Sequence, residues 1–144
     1  MVTRQKAREA VRIGGKEIGR VLITGASAGI GAELAREFAR HGHRLTLVAR
    51  RREALAALAA ELEREHQVDV QVIAQDLAKP GGPAAAVKAA QAGGEEIGIL
   101  VNNAGVIDVG RFADAQPEKL IGLVDLNVRT MTEMTSRLLP GMVA

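Results

Sequence analysis

A chain of 144 residues, 47% apolar and 25% charged, has the size and composition of one water-soluble domain that buries a core. It has no Cys, which excludes disulfides, thiolate chemistry and Cys-based metal sites, and with two Phe but no Trp or Tyr its core must be aliphatic. The formal net charge of +2 is unevenly spread, since residues 1–20 carry Arg4, Lys6, Arg8, Arg12, Lys16 and Arg20 against Glu9 and Glu17.

That basic stretch has no apolar segment of the kind a secretory leader needs. It also lacks aromatics and any base-reading pattern, so no nucleic-acid partner is expected. Residues 1–19 read as a basic extension, frayed or weakly helical. No apolar run approaches the ~18 residues of a membrane span, so no membrane partner is expected, and the expected setting is the cytoplasm.

From residue 20 onward, strands and helices alternate. Residues 20–24 form a short apolar run ending at a glycine, which reads as a buried strand. A helix follows at about 29–41, with Ile30, Leu34 and Phe38 recurring every four positions beside Ala35 and Ala39, and Gly42 ends it. His41 and His43 lie around this helix end and read as solvated loop residues. Residues 44–49 are the second strand, and 51–66 a helix with Leu55, Leu58, Ala59 and Leu62 on one face. Residues 69–75 are the third strand, punctuated by Pro80, Gly81, Gly82 and Pro83 before a short Ala-rich helix to about 92. Residues 97–102 are the fourth strand. A loop with Gly105 and Gly110 then leads to one long helix at about 117–139, opened by Pro117. Its apolar stripe is Leu120, Leu123, Val124, Val128, Met131, Met134 and Leu138, and Asn127 falls on it. A polar amide on a buried face is costly unless its hydrogen bonds are met.

Such alternation implies an α/β fold: a Rossmann-type, three-layer parallel sheet, about four strands in the order 3-2-1-4 with helices on both faces, occupying residues 20–144. In that order the fourth strand is an edge, and the last helix covers only part of its apolar stripe, so self-association is a possible consequence.

The sharpest motif is Thr24-Gly25-Ala26-Ser27-Ala28-Gly29-Ile30-Gly31, with glycine spacing Gly-x-x-x-Gly-x-Gly, between a strand and a helix. Glycines there let the backbone approach a pyrophosphate, and the helix start offers unpaired N–H groups and the positive end of its dipole. Ser27 adds a hydroxyl. The second strand ends in Ala49-Arg50-Arg51-Arg52, with no carboxylate. An acid at this point of a dinucleotide fold binds the ribose 2′-hydroxyl of NAD, whereas arginine accommodates the 2′-phosphate of NADP. The cofactor expected is therefore NADP(H) rather than NAD(H), with Arg50 as first contact, Arg51 as second and Arg52 facing solvent. No metal site is expected.

These motifs resemble those of the short-chain dehydrogenases/reductases. Thr24 to Gly31 is similar to that family's glycine motif, and Asn102-Asn103-Ala104-Gly105 resembles its second signature. Asp76, followed by Leu77, matches the acid that usually meets the adenine amine. Asp125-Leu126-Asn127-Val128 resembles the stretch holding the family's active-site Asn, which supports a water beside the catalytic Lys. The resemblance covers about residues 19–144. It implies hydride transfer between the nicotinamide cofactor and a small carbonyl or alcohol substrate. In the family a Ser, a Tyr and a Lys carry that chemistry, all beyond the fifth strand, and this sequence has no Tyr. The expectation is thus the cofactor-binding part of an oxidoreductase, inactive alone; the alternative is a non-catalytic NADP(H)-binding sensor or interaction module. One departure touches cofactor choice: Ala28 stands where NADP-binding relatives often carry a basic residue.

Overall fold

The computed structural model describes residues 11–144; the first ten residues, with Arg4, Lys6, Arg8 and Glu9 of the basic extension, lie outside the described residues. The described remainder of the extension is neither frayed nor helical. A Gly-Gly pair suits a two-residue hairpin turn because both central residues need positive φ. Gly14 and Gly15 have φ of 59° and 83°, and they join β1 (Arg12–Ile13) to β2 (Lys16–Glu17) in an antiparallel hairpin.

Four parallel strands follow: β3 (Arg20–Thr24), β4 (Leu45–Ala49), β5 (Val70–Ala74) and β6 (Ile97–Val101), side by side in the order β5-β4-β3-β6. This is the expected 3-2-1-4 arrangement. The central strands β3 and β4 are buried along their whole length, as near-continuous apolar runs require. Alternation sorts their side chains. Val21, Ile23, Leu45, Leu47 and Ala49 face α1 (Gly29–Arg40) and α2 (Arg52–His66), and Leu22 and Val48 face α3 (Gly82–Ala90) and the C-terminal helix. The result is three layers with a core on each side of the sheet. Leu55 and Leu62 of α2 are fully buried, each contributing about 1.5–3 kcal/mol.

Two helices differ from expectation in the face they bury. In α1 the core contacts are Gly31, Ala32, Ala35 and Ala39; Leu34 and Phe38 are only half-buried and Ile30 is exposed. Small residues let this helix lie close on the sheet, which displaces the larger side chains to its flank. The C-terminal helix is not one uniform α-helix. It runs as α4 (Pro117–Val124), a π-helical turn (Asp125–Thr130) and α5 (Met131–Val143), continuing through Pro140. The wider turn shifts the facing. Val124, Val128 and Met131 of the expected stripe are exposed, while Thr130 is buried and Leu126 packs on the core; Met134 and Leu138 of the stripe are buried as expected.

His43 is a smaller correction: its ring meets Phe38 edge-on, with centroids 5.3 Å apart. Arg20, the last charge of the basic stretch and the first residue of the expected strand, is buried at the start of β3.

Candidate functional site

All four parallel strands point their C-terminal ends the same way. The chain leaves β3 toward β4 and later returns to β3's other side as β6, which opens a crevice between the two connections. There lies a cleft of about 280 Å³, lined by Gly25, Ala49, Arg50, Gln75, Asp76, Leu77, Ala78, Ala104, Gly105, Val106, Gly122 and Leu126. A wider hollow of about 430 Å³ between the loop after β6 and α4 contains none of the motif residues.

The glycine loop is fixed from below by two side chains. The Thr24 hydroxyl accepts from the N–H groups of Asn103 and Ala104, at 3.0 and 2.9 Å. The Asn103 side-chain amide donates to the carbonyls of Thr24 and Gly25, at 3.0 and 3.2 Å. This stitching sits where β3 and β6 end, and it brings backbones into contact. A Cβ on Gly25 would lie 2.9 Å from the Ala104 Cα, and one on Gly31 would strike the Gly25 carbonyl oxygen.

Gly29 is the opposite case. Its φ is 57°, and the space where a Cβ would stand is empty. Helix α1 begins there with no side-chain cap and no acidic residue in its first turn. Its first N–H groups thus have no partner within the helix and face the open mouth of the loop. Ile30 stands exposed beside them.

Positive charge gathers on the same side. Arg50 lines the cleft just beyond β4. The Arg51 guanidinium reaches back over the glycine loop, 3.4 Å from both the carbonyl and the hydroxyl oxygen of Ser27. Arg52 is exposed at the start of α2. Across the cleft, Asp76 uses Oδ1 to accept the Ala78 N–H at 3.0 Å, a short turn that presents the residue beyond β5. Leu77 is buried beneath it.

The two asparagines after β6 and the one in the π-helical turn brace the far wall. The Asn102 amide donates to the Thr135 hydroxyl at 3.0 Å. Asn127 bonds both backbone groups of Val106: it accepts the N–H at 2.9 Å and donates to the carbonyl at 2.6 Å. Its amide is satisfied by that loop and also fences Gly105, where a Cβ would lie 3.2 Å from its Oδ1.

The cleft thus brings together Gly25, Arg50, Asp76, Leu77, Ala104 and Gly105. Gly29, Ile30, Gly31, Ser27 and Arg51 stand at its glycine-loop side, while Thr24, Asn102, Asn103 and Asn127 support it. Sequence reading missed Gln75, Ala78, Val106, Gly122 and Leu126 in the lining. It also missed a clamp. The Thr130 hydroxyl donates to the Leu77 carbonyl at 2.8 Å, and Arg129 donates to the Ala78 carbonyl at 3.2 Å. The spacing of Gly122 and Leu126, one helical turn apart, is the only signal that sets this pair on one wall.

Comparison with known proteins bears directly on this arrangement. The sequence model of the short-chain dehydrogenases matches residues 19–144. The oxidoreductase UcpA of Escherichia coli K12 is 40% identical over 124 residues, which are 85% of this chain and 46% of that protein. A short-chain dehydrogenase from Sphingobium yanoikuyae, solved in complex with NADPH, superposes with a TM-score of 0.80 at 42% identity, covering 85% of this chain and 48% of that one. The L-sorbose reductase of Gluconobacter frateurii, solved with NADPH and L-sorbose, gives 0.81 at 35% identity, covering 87% of this chain and 48% of that one. The chain spans about half the length of the relatives it matches.

Proposed function

The chain belongs to the short-chain dehydrogenase family, and from that premise we propose that its cleft binds NADP(H), as part of an oxidoreductase acting on a small carbonyl or alcohol. The observation that carries the proposal is the pairing of an uncapped helix start with Arg50 and Arg51 at the end of β4, where no carboxylate stands. An anion fits this ground: the helix dipole and two guanidiniums favour it, and Gly29 leaves the space empty.

In this reading the backbone from Gly25 to Gly31 holds the pyrophosphate, with Ser27 donating a hydroxyl. Arg50 takes the 2′-phosphate through its planar fork, and Arg51, steadied on Ser27, adds the second cation. Asp76 receives the adenine amine on the carboxylate oxygen that Ala78 leaves free, and Leu77 underlies the base. The segment Asn102 to Gly105 borders the ribose and nicotinamide side. Asn127 holds that border by fastening Val106, so its role is positioning. When bound, the cofactor supplies or accepts a hydride at carbon. The residues of this chain bind and orient; with no Tyr in the sequence, they are assigned no proton transfer.

Titration with NADPH and NADH tests the reading. The chain should bind NADPH more tightly, and Arg50→Ala should weaken NADPH binding about tenfold or more by removing charge-assisted hydrogen bonds. Equal affinity for the two would remove the NADP preference. Binding of neither would remove the cofactor role.

A further inference from the structure

Gly122 lies inside α4, where glycine weakens a helix relative to alanine. The fold does not ask for it. Its φ is not positive, and a Cβ built there meets no atom within 4 Å. Other glycines near the site are different: Gly29 has open space but a φ of 57°, and at Gly25, Gly31 and Gly82 an added Cβ would press on backbone atoms. What fills the position of the missing Gly122 side chain is the cleft itself, which Gly122 lines together with Leu126, Asp76 and Ala78.

That notch is held open. Thr130 and Arg129 tie the π-helical turn to the Leu77 and Ala78 carbonyls, and Arg129 is steadied by Asp125 at 3.1 Å. The helical wall therefore cannot slide toward the Asp76 turn to close the gap without breaking these bonds.

We propose that Gly122 is a specificity-determining residue that leaves room beside the base of the dinucleotide, so that the site accepts adenine bearing one apolar substituent on its exocyclic amine. This rests on the reading of the cleft as the adenosine site. Asp76 commits Oδ1 to the Ala78 N–H and leaves its other oxygen for a donor in the cleft. A monosubstituted amine keeps one N–H for that oxygen. Its substituent is then directed along the notch, against the apolar side chain of Leu126. A side chain at position 122 would compete for the same volume.

The test is calorimetric titration of the chain, and of Gly122→Ala and Gly122→Leu, with NADPH and with N6-benzyl-NADPH. The wild-type chain is expected to bind both. The ratio of analogue to NADPH affinity is expected to fall in the order Gly, Ala, Leu, by about tenfold or more for Leu, the scale on which a shaped pocket excludes excess volume. Both substitutions raise helix propensity, so loss of fold does not mimic the result. If the wild-type chain binds NADPH but refuses the analogue, or if the ratio is the same in all three proteins, the notch has no such role and the dinucleotide reading stands. If NADPH itself does not bind, the dinucleotide reading falls and takes the inference with it.

Discussion

A threonine hydroxyl has one proton and two lone pairs, and Thr24 uses all three. It donates to the Val101 carbonyl at 3.3 Å and accepts the N–H groups of Asn103 and Ala104. The residue is buried, so water cannot replace what a substitution removes. Thr24→Val keeps the shape, leaves the Ala104 N–H unmet and the Asn103 N–H with only the Val101 carbonyl at 3.0 Å, which is expected to cost about 1–3 kcal/mol in urea unfolding, while Thr24→Ser should recover most of it. His43 makes a separate prediction. Burial holds its pKa below the ordinary value, and neighbouring His41 adds in the same direction. The unfolded chain therefore binds this proton more readily than the folded one. The contribution to stability is full above the ordinary value of about 6.5 and is lost as pH falls through it toward the folded value. His43→Phe keeps the edge-on packing against Phe38 but cannot titrate. Its unfolding midpoint should fall less between neutral and mildly acidic pH than that of the wild type; equal slopes would remove His43 as a source of the dependence.

At the scale of elements, strands were the easily read part. A five-residue apolar run bounded by glycine or charge has few other places to go, and β3 and β4 are buried on both faces as that pattern demands. The C-terminal helix was harder. A period of 3.6 residues extrapolates one facing along the whole segment, and nothing in Asp125–Thr130 announces the wider turn. Within it the extrapolated stripe fails, since Val128 is exposed and Thr130 is buried on the Leu77 carbonyl, and past it the stripe resumes with Met134 and Leu138 buried. The lining of the candidate cleft was legible where a motif marks the residue, as at Gly25, Arg50 and Asp76. It was illegible where tertiary packing chose the residue, as at Ala78 and the Thr130 clamp, and at Gly122, which no packing contact requires. The β1–β2 hairpin belongs to a third kind, since its Gly14-Gly15 signal stands in the sequence but was not used in reading the extension. Helix α4 yields its own prediction. With open space at Gly122, Gly122→Ala should stabilise the ligand-free chain by about 0.8–1.0 kcal/mol, read as a higher denaturant midpoint. No gain would mean that the residue meets a contact its empty surroundings do not suggest.

Across the whole molecule, the end of the sheet opposite the cleft is gathered on one cation. Arg20 begins β3, and its guanidinium donates to the Leu45 carbonyl at 2.9 Å, to Glu95 at 3.0 Å and to the Asp69 carboxylate. These partners start β4 or stand just ahead of β5 and β6, so one side chain touches the beginnings of all four strands. Arg44 also reaches Glu95, at 3.3 Å, and Glu17 of the hairpin, at 3.7 Å. The exposures are unequal: the Arg20 side chain is 6% exposed, against 62% for Asp69 and 31% for Glu95. That inequality fixes the order of mutational costs. Arg20→Met removes the buried charge and leaves two carboxylates that already reach water, so its cost is limited to lost hydrogen bonds, about 1–3 kcal/mol. Replacing both acids, Asp69→Asn with Glu95→Gln, leaves a buried guanidinium without a counter-charge, for which about 3–5 kcal/mol is expected. Denaturant midpoints should therefore rank wild type above Arg20→Met and Arg20→Met above the double acid variant. The reverse order would mean that Arg20 draws solvation from elsewhere and that the network is a surface feature. Because this cluster lies at the far end of the strands, folded Arg20→Met should still bind NADPH as the wild type does, which separates the holding of the sheet from the holding of the ligand.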